Sequence, residues 1–79
     1  MVQRDDVIAI IKGVSSSVRA GDSDHGKPLK EIGVDSLDLS GILLEIEEKF
    51  GIKIPDEDIA RLETIDRIVE YIREKTGDR

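Results

Sequence analysis

The sequence contains no cysteine, a single histidine and only two aromatic residues, Phe50 and Tyr71. Without cysteine the chain can form no disulfide and no thiolate-ligated metal site, so we expect a reducing, cytoplasmic location. The scarcity of aromatic residues requires a mostly aliphatic core. The one histidine, His25, has no plausible nucleophile near it in sequence, so a Ser-His-Asp hydrolase is poorly supported.

Long apolar runs are also missing. No stretch approaches the roughly 20 apolar residues that cross a bilayer, and polar and charged residues follow Met1 instead of a signal-like apolar segment. We therefore expect a soluble protein that does not insert into membranes. Its 79 residues leave room for one domain over residues 1–79 with one modest core, which argues against a large internal active-site cleft.

The net charge of −6 is concentrated in the middle of the chain, where residues 31–63 hold ten acidic residues against three basic ones. Such a surface repels nucleic acid and attracts partners that carry basic patches. A charged face also keeps a small domain soluble, so the charge alone does not decide between these interpretations.

Apolar periodicity predicts an all-α fold, a small four-helix bundle with three main helices and one short helix. Apolar residues recur every three or four positions over residues 4–18, which predicts helix one. The period disappears over residues 19–34, a long loop in which only Leu29 and Ile32 are expected to be buried. No segment alternates with period two for long enough to predict a sheet.

The remaining helices carry recognisable end signals. Helix two is predicted from near Ser36 to Phe50, with Gly51 in the position of a C-cap. Asp56 is predicted to cap the short helix, and Thr64 to cap the last one. The acids Asp56, Glu57 and Asp58 lie on this short exposed helix, where no burial would separate their pKa values for acid–base catalysis.

The segment Gly33–Asp38 joins the long loop to helix two and places Ser36 at or next to the helix N-terminus, between Asp35 and Asp38. Serine and aspartate are preferred N-cap residues, and acids in the first turn complement the helix dipole. Helix initiation alone is therefore one explanation of these three residues.

A rotation of 100° per residue places one group of helix-two residues opposite the apolar face, namely Leu37, Gly41, Leu44 and Glu48. Two leucines that point away from the core in acidic surroundings are typical of a docking surface. Isolated exposed leucines are also common, and the long loop could instead cover them.

Four segments then resemble, in order and spacing, the acyl carrier proteins of bacterial type II synthases: Gly33–Asp38, Glu47–Ile52, Ile54–Asp58 and Thr64–Ile65. Asp-Ser-Leu alone would be a weak signal, but the matching downstream segments make the resemblance specific, and it covers almost the whole chain. It implies a small helical bundle whose apolar interior can shelter an acyl chain. It also implies a carrier that is not itself an enzyme.

By this resemblance, a phosphopantetheinyl transferase attaches 4'-phosphopantetheine, derived from coenzyme A, to Ser36, and acyl groups are held as thioesters on the arm's thiol. Asp35 and Asp38 would meet the transferase. Acyl-transferring and chain-elongating or modifying enzymes with basic docking patches would read the face that includes Leu37, Leu44, Glu47 and Glu48, with Gly41 on or beside it. We expect the carrier to be a monomer.

Two positions depart from the usual family pattern. Ser40 stands where an aliphatic residue is common, and Gly41 stands where an acid is common. A glycine inside a helix costs about 1 kcal/mol relative to alanine, and here it also removes a charged contact. The departures favour a specialised carrier for polyketide, modified lipid or secondary-metabolite synthesis over a housekeeping role in fatty acid synthesis.

Three other interpretations fit parts of the sequence. An aminoacyl carrier would have the same fold, and a non-covalent acidic adaptor would use Asp35–Leu37 only to start a helix. The segment Asp22–Gly26 looks like the start of a calcium-binding loop, but its glycine is at loop position five instead of six, and Gly33 stands where the bidentate acid is needed. We therefore expect no dedicated metal site.

Overall fold

The computed structural model describes residues 2–15, 18 and 26–77, and all regular structure within them is helical. Four α-helices and one 3-10 helix follow one another: α1 (Arg4–Val14), the 3-10 helix (Leu29–Ile32), α2 (Ser36–Phe50), α3 (Asp56–Ile59) and α4 (Ile65–Thr76). The predicted all-α bundle of three main helices and one short helix is confirmed. Within the described ranges, no helix is long and apolar enough to cross a membrane.

Some boundaries differ from the prediction. Helix α1 ends at Val14, so the prediction that it continues to Val18 is wrong, although Val18 is buried. Ser15, which begins a run of three serines, has an extended backbone, and serine competes with helical hydrogen bonding. Val14 and Val18 are four positions apart, which is a spacing typical of one helix face, and this spacing led to the prediction of a longer α1. His25, and all of the calcium-like segment except Gly26, lie outside the described residues.

Two of the predicted helix caps are confirmed and one is wrong. Thr64 accepts a hydrogen bond from the backbone N–H of Arg67 at 3.1 Å, and Gly51 ends α2 with a φ of 66°, as predicted. Asp56 was predicted to cap α3, but it is the first residue of that helix and Pro55 is the N-cap. Proline has no side-chain acceptor, and its backbone carbonyl instead accepts a hydrogen bond from the N–H of Asp58 at 2.9 Å.

The core lies between α1, α2 and α4. Its fully buried side chains are mostly isoleucine: Val7, Ile11, Ile42, Ile46, Ile65, Ile68, Tyr71 and Ile72. Full burial of one such aliphatic side chain contributes about 1.5–3 kcal/mol. Leu29 and Ile32 of the 3-10 helix are buried as predicted, and the backbone N–H of Leu29 donates to the carbonyl of Glu63 at 2.8 Å. This bond ties the 3-10 helix to the connection between α3 and α4.

Gly41 was predicted on the solvent-facing side of α2, and this placement is wrong. The residue is half-buried against α1, where a Cβ atom would lie 3.0 Å from Cγ1 of Val14. The helical projection could not reveal this contact because it contains no information about where α1 crosses α2. The missing side chain at position 41 allows the two helices to approach closely.

We expect Gly41→Leu to lower the free energy of unfolding by about 1–3 kcal/mol, because the new side chain must displace Val14. Gly13→Leu is the matched control, since nothing lies within 4 Å of a Cβ atom built there. Urea denaturation would measure both variants. If Gly41→Leu costs the same with Val14→Ala as without it, the proposed contact is not the cause.

Candidate functional site

The backbone before α2 determines where Ser36 lies. Gly33 has a φ of 99°, in the left-handed region that glycine adopts without strain, and it ends the 3-10 helix. The next residue, Val34, is buried, and its N–H donates to the carbonyl of Leu29 at 3.1 Å. The chain then emerges at the surface at Asp35, so Ser36 is exposed as the first residue of α2.

Asp35, and not Ser36, caps the helix. Its Oδ1 atom accepts a hydrogen bond from the backbone N–H of Asp38 at 2.8 Å. Ser36 takes part in a local hydrogen bond through its carbonyl, which accepts from Oγ of Ser40 at 3.3 Å. The Ser36 hydroxyl is thus an exposed group at the start of a 15-residue helix, where backbone N–H groups and the helix dipole favour an anion.

A mostly apolar groove of about 820 Å³ opens beside Ser36. Its walls come from the 3-10 helix, the start of α2, and α3 with the residues after it: Pro28, Leu29, Lys30, Gly33, Val34, Asp35, Ser36, Leu39, Ile59, Ala60, Leu62 and Glu63. The sequence pattern predicted an apolar interior but did not indicate which residues line a groove. Leu29 was recognisable as an apolar residue in a polar loop, whereas Ile59 and Ala60 in a four-residue helix gave no comparable signal.

The solvent-facing side of α2 carries the predicted leucines. Leu37 is 84% exposed and Leu44 is 55% exposed, so none of the described residues covers these two side chains, while residues 19–25 of the long loop lie outside the described part of the chain. Glu48 is exposed, and Asp38 is half-buried in the first turn. Two exposed leucines and three of the predicted acids, Asp38, Glu47 and Glu48, therefore lie on one helix.

Comparison with known proteins adds an independent observation. Residues 5–72 match the family described as the phosphopantetheine attachment site. The acyl carrier protein of Thermotoga maritima is 31% identical, over 98% of this chain and 100% of that protein. The chain belongs to the acyl carrier protein family. The acyl carrier protein of Chloroherpeton thalassium is 42% identical over 52 residues, which cover 66% of this carrier and 65% of that relative.

Carriers of this family bear covalently attached 4'-phosphopantetheine, and this carrier offers a suitable place for it. The exposed Ser36 hydroxyl can accept a bulky substituent without displacing a buried group. A phosphodiester there would lie at the N-terminus of α2, and the groove beside it is mostly apolar. The residues present therefore fit the prosthetic group.

Glu47 has an internal role in this carrier that the sequence did not reveal. Its Oε2 atom accepts a hydrogen bond from the backbone N–H of Ile54 at 2.8 Å. Its carbonyl accepts from the N–H of Ile52 at 3.2 Å. The residue therefore fixes the segment that leads from α2 to α3, whereas Glu48 next to it is exposed.

We expect Asp35→Ala to lower the free energy of unfolding by about 0.5–2 kcal/mol, because the N–H of Asp38 loses its acceptor. Ser36→Ala should change it by less than about 0.5 kcal/mol, because its hydroxyl does not cap the helix. Thermal denaturation of the two variants would compare them. Equal losses would contradict the assignment of Asp35 as the cap.

Glu47→Ala should cost about 1–3 kcal/mol, since it leaves the partly buried N–H of Ile54 without its acceptor. Glu48→Ala removes the same charge from an exposed position and should cost less than about 0.5 kcal/mol. Urea denaturation of the two variants would separate the structural role of Glu47 from the effect of removing one negative charge. Indistinguishable unfolding midpoints would show that the contact to Ile54 contributes nothing.

Proposed function

We propose that residues 1–79 form a single carrier domain that holds acyl intermediates and catalyses no reaction by itself, with Ser36 as the attachment point of 4'-phosphopantetheine. The observation that carries this proposal is the exposed Ser36 hydroxyl at the N-terminus of α2, beside an apolar groove and within the residues that match the family. When attached, the arm supplies a terminal thiol that holds acyl groups as thioesters. The chain itself has no cysteine to supply one.

The groups around Ser36 have separate roles in holding the arm and its cargo. The backbone N–H groups at the start of α2 favour the phosphodiester, while Asp35 keeps the helix start in place. The apolar walls of the groove, among them Leu39 and Ile59, exclude water from an aliphatic chain laid between α2 and α3. This shelter supports an aliphatic acyl cargo over an aminoacyl one.

The partners that we propose are a phosphopantetheinyl transferase and the acyl-transferring, chain-elongating or modifying enzymes of a synthase. Their basic patches would be steered by the acids of α2, including Asp38 and Glu48, and would then bury Leu37 and Leu44. Small contact areas give the weak binding that suits a carrier, which must leave each enzyme after every step. Gly41 packs against α1 and contributes no side chain to this surface.

We propose that the acyl chains belong to fatty acid, polyketide or related lipid and secondary-metabolite synthesis. The packing of Gly41 against Val14 explains the glycine without a specialised partner, so the missing charge there and the departure at Ser40 are what still favour a specialised pathway. The cysteine-free composition supports a cytoplasmic location. A monomer suits the function, because the exposed side of α2 must remain accessible to enzymes.

The test is the intact mass of the unmodified protein after incubation with coenzyme A and a broad-specificity phosphopantetheinyl transferase. The parent protein and Ser40→Ala should each gain one phosphopantetheine, and Ser36→Ala should gain none. Ser40→Ala is the matched control because it removes an exposed hydroxyl from the same helix. Modification that persists in Ser36→Ala would place the attachment elsewhere.

The same experiment separates the carrier from a non-covalent acidic adaptor. A folded parent protein that gains no mass would refute the carrier proposal and favour the adaptor. If the arm is attached, loading assays with fatty-acyl-transferring and aminoacyl-transferring enzymes would then distinguish the two kinds of cargo.

A further inference from the structure

Helix α3 contributes Ile59 to the wall of the apolar groove. It spans only Asp56–Ile59 and has no fully buried residue. A helix of four residues is far too short to be stable by itself, because nucleation costs more than one turn of hydrogen bonds returns. Its position must therefore come from contacts to the rest of the molecule.

The shortest of these contacts joins α3 to α4. Tyr71 of α4 is only 2% exposed, and its hydroxyl donates a hydrogen bond to Oδ2 of Asp58 at 2.6 Å. Burial, together with this carboxylate, raises the pKa of Tyr71 to about 12. The hydroxyl is therefore protonated at neutral pH and remains a donor.

Charged side chains surround the same ring. Nζ of Lys75 lies 5.4 Å from the ring centroid of Tyr71 and 4.0 Å from Oδ2 of Asp58. The guanidinium of Arg61 lies 5.3 Å from the centroid and 3.2 Å from a carboxylate oxygen of Glu74. Exposed ion pairs such as Arg61–Glu74 contribute little, so the partly buried hydrogen bond between Tyr71 and Asp58 is the principal polar link.

The residues that follow Asp58 form a wall of the groove beside Ser36. Ile59, Ala60, Leu62 and Glu63 all line it. Leu62 is anchored by burial, at 2% exposure, but Ile59 is only half-buried and Ala60 is exposed. The part of the wall nearest Asp58 therefore has little burial of its own to hold it.

We propose that Asp58 and Tyr71 are positioning residues for the groove: their hydrogen bond holds Ile59 and Ala60 in place and thereby sets how well the groove shelters an apolar chain. The bond lies outside the groove and touches neither Ser36 nor the exposed side of α2. The identification of the natural occupant as an acyl chain rests on the proposed function, but the effect of the hydrogen bond on the groove does not.

The first test is amide hydrogen exchange in the unmodified protein carrying Tyr71→Phe, which removes the hydroxyl and retains the ring. The N–H groups of Arg61 and Leu62 donate to the carbonyls of Asp58 and Ile59, each at 3.0 Å, and report on this wall. Their exchange should accelerate about tenfold relative to the amides of α1, because a hydrogen bond to a charged acceptor is lost.

The control for general destabilisation is Asp6→Ala, which removes the carboxylate that caps α1 at the N–H of Gln3. It should not accelerate Arg61 and Leu62 selectively. Asp58→Ala should reproduce the effect of Tyr71→Phe, and the double variant should exceed neither single variant. Equal acceleration in all helices, or none, would overturn the proposal.

The second test measures the groove without the prosthetic arm. Because the chain has no cysteine, Ser36→Cys introduces a unique thiol that can be capped with an octyl or a methyl methanethiosulfonate. With Tyr71 present, the octyl protein should melt at a higher temperature than the methyl protein, since its chain is buried in the groove. With Tyr71→Phe this difference should fall by about half or more, because the loosened wall covers the chain less well.

The proposal would be overturned if Tyr71→Phe left the difference in melting temperature between the octyl and methyl proteins unchanged. It would also be overturned if this difference were zero even with Tyr71 present. Neither measurement depends on a transferase. Failure of phosphopantetheine attachment would therefore refute the proposed function while leaving this inference standing. Conversely, a groove that is unaffected by Tyr71→Phe would overturn this inference while leaving the proposed function standing.

Discussion

The hydrogen bond from the N–H of Asp38 to the side chain of Asp35 fixes the starting point of α2. Once that point is set, the rotation of the helix decides the direction of every later side chain. Ile42 and Ile46 enter the core, while Leu37 and Leu44 face solvent. A start displaced by one residue would turn the helix by about 100° relative to the core and move Ile42 and Ile46 away from their buried positions. The cap therefore favours the one start of α2 that is consistent with the exposed serine, the core and the apolar surface.

Acidic residues of this carrier have different roles despite their similar appearance in the sequence. Asp35 caps α2, Glu47 fixes the chain after it, and Asp58 accepts from the buried Tyr71. Glu48 is exposed and makes no comparable contact among those described. A surface that looks uniformly suited to basic partners therefore includes carboxylates whose main contribution is to the fold. Charge removal at these positions is therefore expected to lower the stability of the fold.

Local physics explains which features the sequence could predict. The period of α2, the Thr64 cap and the Gly51 C-cap depend on near neighbours, and each was predicted correctly. Two of the features that were missed depend on contacts between distant segments. The packing of Gly41 against Val14 depends on where α1 and α2 cross. The position of Ile59 in the groove wall depends on the hydrogen bond from Tyr71 of α4 to Asp58. The end of α1 was missed for another reason, since Val18 is buried without being helical.

The close contact between Val14 and Gly41 links two positions that are 27 residues apart in sequence. A lineage that gained a side chain at position 41 would bring it against the valine methyl group, unless a smaller residue had already replaced Val14. The order of the two substitutions therefore matters. A smaller residue at position 14 must come first, because it makes room for a side chain at position 41. The close packing of α1 and α2 thus constrains how a charged side chain can be added at position 41.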